Sequence, residues 1–224
     1  MPARSSRSNH LVCDTGLMRA QGEATRARIL AAAAEEFTVH GVAGARINRI
    51  ADTAKASKER LYAYFGTKEE LFSEVISAEV EQVVEAVPIS EDLPDYVGRL
   101  FDYLNADPRR QRVLAWAWLE GSREQLPEGH PRLDIYRAKV ATVRRAQEAG
   151  RVDPVWDPYD LLSMLIALAS AWLMAPHDLR TLAAQSAPDQ GLEQRRAAVV
   201  EAARRLVGTA PPASRHDGQG AAVT

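Results

Sequence analysis

Residues 48–71 read NRIADTAKASKERLYAYFGTKEEL, and their apolar positions set a geometry. Ile47, Ile50, Ala51 and Ala54 recur at helical spacing, the pattern breaks at Lys55-Ala56-Ser57, and it resumes with Leu61 and Phe65 one turn apart on one face. Two short helices therefore share one small core. Ser57 is suited to cap the second, because its hydroxyl takes an orphan backbone N–H of the first turn. Lys58, Glu59 and Arg60 follow it, pointing away from the core. The second helix ends near Gly66. Thr67-Lys68-Glu69-Glu70 then makes a capping box, with Thr67 as cap and Glu70 reaching back, ahead of a new apolar run from Leu71.

A helix carrying Lys58 and Arg60 at its exposed N-terminal end, with Tyr62 and Tyr64 further along, is what a helix-turn-helix lays in the major groove. Asn48, Lys58 and Arg60 are the expected readers of base edges; Arg46, Tyr62, Tyr64 and Lys68 are expected at phosphates. Taken singly, the charged triplet fits a solvated helix face and the tyrosines fit simple packing. The agreement of several features in register favours DNA.

The segment, with the stretch from Arg26 to Gly41 before it, resembles the DNA-binding domain of the TetR (tetracycline-repressor) family of bacterial transcription regulators. The resemblance rests on Ile50-Ala51, Ser57-Lys58, Leu61-Tyr62, Tyr64-Phe65 and Lys68-Glu69-Glu70-Leu71 at the family's mutual spacings. A helix bearing Ile29-Leu30, Ala33, Phe37 and Gly41 precedes them, so the likeness covers about the first third of the chain. Four positions depart from the pattern. Lys55 stands where the family usually has the glycine of the turn, so the bend is made without the residue best suited to positive φ. Arg46 replaces a common Thr, and Glu59-Arg60 a common Gly-Thr, so the DNA site read here differs from that of relatives.

The chain has 224 residues and a formal net charge of -2, with Lys+Arg 28 against Asp+Glu 30, so the total announces no nucleic-acid partner. The distribution does. Between Arg19 and Lys68 the cations are Arg19, Arg26, Arg28, Arg46, Arg49, Lys55, Lys58, Arg60 and Lys68, against the acids Glu23, Glu35, Glu36, Asp52 and Glu59. Cys13 is the only cysteine, which excludes an intramolecular disulfide and a thiolate metal site and fits a reducing cytoplasm. The longest apolar stretch, Leu161 to Ala175, is shorter than the ~20 residues a bilayer span needs, so no membrane partner is expected.

Residues 1–21 and 209–224 lack periodicity and read as loose tails, flanking a helix-turn-helix domain at 22–68 and a helical effector-binding and dimerisation domain at 69–208. Arg4, Arg7 and Arg19 suit either a minor-groove arm or a solubilising tail. From Leu71 onward every strong pattern is helical, so the fold class is all-α. Leu71, Phe72, Val75, Ile76, Val80, Val83, Val84 and Val87 form one stripe, stopped by Pro88. Further helices span about Leu93 to Leu104, Asp107-Pro108 to Gly121, Pro131 to Ala149, Asp157 to Ala175 and Leu192 to Val207.

The 157–175 helix has an apolar arc too wide for one contact: Leu161, Leu165, Leu168 and Trp172 lie on one side, Leu162, Ile166, Ala169 and Leu173 on the next. With the small residues of the last helix (Val199, Ala202, Ala203 and Leu206), the stretches near 158–175 and 192–207 make half of a four-helix homodimer interface. A buried core helix of a monomer is the other reading. Two heads on a two-fold axis would grip a palindromic double-stranded operator. The resemblance implies that same dimer, a small-molecule pocket in the helical body, and release of DNA when an effector enters it. Candidates for the pocket wall are Phe101, Tyr103, Trp116, Trp118, Tyr136, Met164 and Trp172, all equally at home in a core, and the effector expected of them is small and apolar or aromatic. The expected function is thus a transcription regulator, most simply a repressor. A DNA-binding dimer without effector, with a nucleoid or scaffolding role, and an all-helical enzyme are the rivals. His10, His40, His130, His177 and His216 are scattered with no metal-binding spacing, and no nucleophile elbow or phosphate loop is present. No catalytic residue, cofactor or metal is expected.

Overall fold

A computed structural model describes residues 8–121, 126–187 and 190–208, with side chains from residue 19 onward except at 120 and 121. Among them are ten helices: α1 (Ser8–Gly44), α2 (Ile47–Ala54), α3 (Lys58–Phe65), α4 (Lys68–Ala86), α5 (Leu93–Asn105), α6 (Pro108–Gly121), α7 (Pro131–Glu148), α8 (Pro158–Ser170), α9 (His177–Ser186) and α10 (Leu192–Val207). The described residues contain no strand, and no described helix is long and apolar enough to cross a membrane. Arg4, Arg7 and the C-terminal tail at 209–224 lie outside the described residues.

The helices form two compact units, one drawn from Met1–Ala86 and Leu104–Arg132, the other from Val87–Tyr103 and Leu133–Thr224. A single boundary near residue 68 was expected; instead α6 packs with the head. Its Val113 joins the core of Ile29, Phe37, Ile50, Leu61, Phe65, Leu71 and Phe72, with Trp116 and Ala117 packed against it. Phe37 and Phe72 meet edge to face, with ring centroids 5.1 Å apart. Gly41 makes room for α6. Its φ of 63° interrupts α1, and a Cβ there would stand 2.7 Å from the Trp116 ring, so only glycine fits.

Helix α1 begins at Ser8, inside the stretch expected to be a loose tail. The reason is cooperative: once the Thr25–Phe37 turns are nucleated by packing, each residue added at the N-terminus gains a hydrogen bond without a new nucleation cost.

In the second unit α8 and α10 pack on each other. Gly98 of α5 lets α10 approach, since a Cβ would lie 2.8 Å from the Arg196 guanidinium and 2.9 Å from Val200, and Arg196 Nε donates to Asp102 at 2.7 Å. Trp156 Nε1 donates to the Leu206 carbonyl at 3.0 Å and ties the loop before α8 to the end of α10. Helix α8 stops at Ser170, short of the expected Ala175, and a separate helix α9 follows Pro176. Proline removes a backbone donor and clashes with a preceding helical turn, which accounts for the break.

Candidate nucleic-acid interface

The interface is built on Glu36. Its carboxylate accepts from the backbone N–H of Arg46 at 2.9 Å and from Arg49 Nε at 2.8 Å, with Arg49 Nη2 closing a fork. Burial alone would raise the Glu36 carboxyl, but the bonds from Arg49 and Arg46 and the Arg49 charge outweigh it and hold the group below the ordinary carboxylate value. The N-terminus of α2 carries no side-chain cap of its own from Arg46; Glu36 of α1 supplies the acceptor. Nothing local in residues 48–71 signals this clamp, because the partners are ten and thirteen positions apart.

Lys55 makes the turn in the left-handed region, with φ 50° and ψ 48°, and its N–H bonds to the Asp52 carbonyl at 3.1 Å. The absent glycine is therefore replaced by a strained lysine. Ser57 caps α3 as expected, accepting from the Arg60 N–H at 3.2 Å. Leu61 and Phe65 turn into the core at 0% and 5% exposure, which leaves Lys58, Glu59, Arg60, Tyr62 and Tyr64 outside. The box at the start of α4 is closed: Glu70 N–H donates to Thr67 Oγ1 at 3.1 Å, and the Glu70 carboxylate accepts from Thr67 N–H at 2.7 Å. Gly66 has φ 68°, and a Cβ there would meet that carboxylate at 2.2 Å.

Tyr64, expected at phosphates, is 38% exposed and also holds a partner within the head. Its Oη donates to the Gly22 carbonyl at 3.1 Å, tying α3 to the first half of α1. Between them runs a cleft of about 470 Å³ lined by Gln21, Gly22, Ala24, Thr25, Arg28, Arg60 and Tyr64. Arg28 is oriented by the Ala54 carbonyl, 3.2 Å from Nε, and by Thr25 Oγ1, 3.3 Å from Nη2. Arg28 and its place beside Arg60 were missed in the sequence, where only its charge was visible.

The ion pairs sort the head's cations. Arg49 is taken by Glu36 and Arg26 by Glu74. Arg28, Arg46, Lys55, Lys58, Arg60 and Lys68 make no ion pair among the described residues, although the Lys58 charge acts on neighbouring Glu59. These six, with exposed Asn48 and Tyr62, come from the middle of α1, the start of α2, the turn, α3 and the start of α4. Surface cations outside ion pairs are suited to phosphate oxygens.

Of the seven residues expected around an effector, two fall in the first unit and five in the second. Trp116 belongs to the head, against Gly41, and Trp118 is 61% exposed. Phe101 is buried, Tyr103, Met164 and Trp172 are half-buried, and Tyr136 is 41% exposed, all in the second unit. Arg195 lies 3.3 Å over the Trp172 ring.

Comparison with known proteins agrees with this architecture. Residues 29–75 match the family described as bacterial regulatory proteins, tetR family, and residues 92–205 match the tetracyclin repressor-like C-terminal domain. The chain is 40% identical over 186 residues to the HTH-type transcriptional repressor SCO4008 of Streptomyces coelicolor, covering 83% of this chain and 96% of that one. It is 32% identical over 109 residues to the HTH-type transcriptional repressor NicS of Pseudomonas putida, covering 45% of this chain and 51% of the relative. Among solved structures, SCO4942 of Streptomyces coelicolor superposes with a TM-score of 0.68 at 41% identity, over 81% of this chain and 97% of that one. A capped helix-turn-helix clamped by Glu36, a helical second unit and matches along most of the chain lead to one conclusion: this chain belongs to the TetR family of bacterial regulatory proteins.

Proposed function

We propose that this chain is a homodimeric transcriptional repressor that holds a palindromic operator through its two heads and leaves it when a small effector enters the second unit. The observation that carries the DNA half is the set of six cations outside ion pairs on α1 to α4, flanking an exposed α3. Lys58 and Asn48 address base edges. Arg46 and Lys68 serve phosphates, and Arg60, which shares its cleft with Arg28, does so too. Tyr62, at 49% exposure, packs on the duplex, while Tyr64 braces α1.

Dimerisation is supported by what α8 to α10 leave uncovered. Leu179, Leu182 and Leu192 are 52%, 59% and 53% exposed, and Ser163 and Ala167 of α8 with Ala197 and Ala198 of α10 offer small exposed side chains for close helix approach. The repressor reading is supported by the likeness to SCO4008 and NicS, both transcriptional repressors. The test is to select bound fragments from genomic DNA, align them, and screen small molecules for release. A two-fold symmetric consensus and a releasing compound are expected; fragments with no shared sequence would refute the reading.

A further inference from the structure

Lys139 is buried to 7% exposure in the middle of α7, yet it ends in an ionisable amine. Its Nζ donates to Tyr96 Oη at 3.1 Å and lies 5.6 Å from the Tyr96 ring centroid and 5.7 Å from that of Tyr136. Tyr96, on α5, is 0% exposed; Tyr136, three residues before Lys139, is 41% exposed. An ammonium has three donors, and one acceptor is present.

The acids of α5 and α7 are paired elsewhere or distant. On α5, Asp95 is paired with Arg99 and Asp102 with Arg196; on α7, Asp134 is paired with Arg137. Glu148, the other carboxylate of α7, is nine residues away, about 13 Å along the axis. Among the described residues no carboxylate comes within ion-pair distance of Lys139. Tyr96 does not replace them: burial and the nearby Tyr136 push its hydroxyl up to about 12, so it is a neutral phenol. Desolvation draws Lys139 downward for the same reason, the lack of a counter-charge. The ring faces recover part of the cost of burying the cation, and leave its remaining donors unanswered.

We infer that the Tyr96–Lys139–Tyr136 cluster is the anion-recognising end of the effector site, taking the carboxylate of an aromatic organic acid. The carboxylate pairs with Lys139 Nζ, and the ligand's ring lies against the exposed Tyr136. Nothing in a cationic ligand could be accommodated beside that ammonium. The inference rests on the effector reading above and gives it a chemical class.

The test uses the full chain bound to its selected operator fragment, titrated with three series on the same scaffolds: benzoate, salicylate and 1-naphthoate; the matching primary amides; and the matching benzylic amines. Binding is read by thermal shift and release by fluorescence anisotropy. Acids are expected to stabilise the protein and release DNA, with amides at least about tenfold weaker, the size of one lost charge-assisted bond, and amines inactive. Lys139→Met should abolish the acid-over-amide preference, Lys139→Arg should keep it, and Tyr96→Phe should reduce it. A lysine that only holds the fold would shift the melting temperature in all three variants and leave the acid-over-amide ratio of Lys139→Met unchanged. That result, or amides or amines binding as well as acids, overturns the assignment while leaving effector release intact. Release by no compound of any charge would instead sink the effector reading, and the assignment with it.

Discussion

Lys55 and Glu36 show how single residues set the head. Lys55 holds φ 50° without the freedom of glycine. Lys55→Gly removes that strain but adds entropy to the unfolded chain, so a net gain of about 0.5 to 1 kcal/mol in urea unfolding is expected. A loss would show that the lysine side chain supplies packing that outweighs the strain. Glu36 joins α1 to α2, and Glu36→Ala should cost about 1.5 to 3 kcal/mol by stranding the Arg46 N–H and the Arg49 guanidinium. The folded Glu36 carboxyl sits below its ordinary 4.5, so its contribution is full above that pH and is lost as pH falls through the lower folded value. The stability gap between wild type and Glu36→Gln should therefore be constant near neutrality and close in acid. Lys55 could be placed in the turn from sequence because a turn is a local matter. Glu36 could not, since its acceptor role exists only once α1 and α2 meet.

At the scale of elements, the caps were legible and the packing was not. Ser57, the Thr67–Glu70 box and Asp157 all hold the positions their neighbours in sequence suggest; Asp157 accepts from Tyr159 N–H at 2.8 Å and Asp160 N–H at 3.3 Å. Asp157→Ala should cost about 1 kcal/mol of thermal stability, and an unchanged melting curve would show that α8 is held by packing alone. The early start of α1, the union of α6 with the head through Trp116 and Gly41, and the independence of α9 escaped, because each is decided by a contact across many residues or by cooperative propagation. The brace from Tyr64 to Gly22 belongs here too. Tyr64→Phe should leave the helix content unchanged and speed amide exchange in residues 19–25, the turns that the hydrogen bond fixes against α3. The paired replacements Arg28→Gln and Arg60→Gln should each lower the salt slope of operator binding by about 1 without relaxing sequence preference. A relaxed preference would return Arg60 to the base-reading set.

For the whole molecule, the sequence carried the all-α class and the basic bias of the head, because helical periodicity and charge do not depend on long-range contacts. The effector site proposed above was not legible there, since aromatics at helical spacing look alike whether they line a cavity or fill a core; the proposal rests instead on the partners of Lys139. The central claim is that six cations outside ion pairs make the head a reader of one symmetric site. It is tested most directly by titrating the full-length protein into its selected palindromic fragment and into a scrambled duplex of the same length at one fixed physiological salt concentration. The account predicts two chains on each palindrome and affinity at least about a thousandfold above the scrambled duplex. Equal affinity for the two duplexes would contradict it.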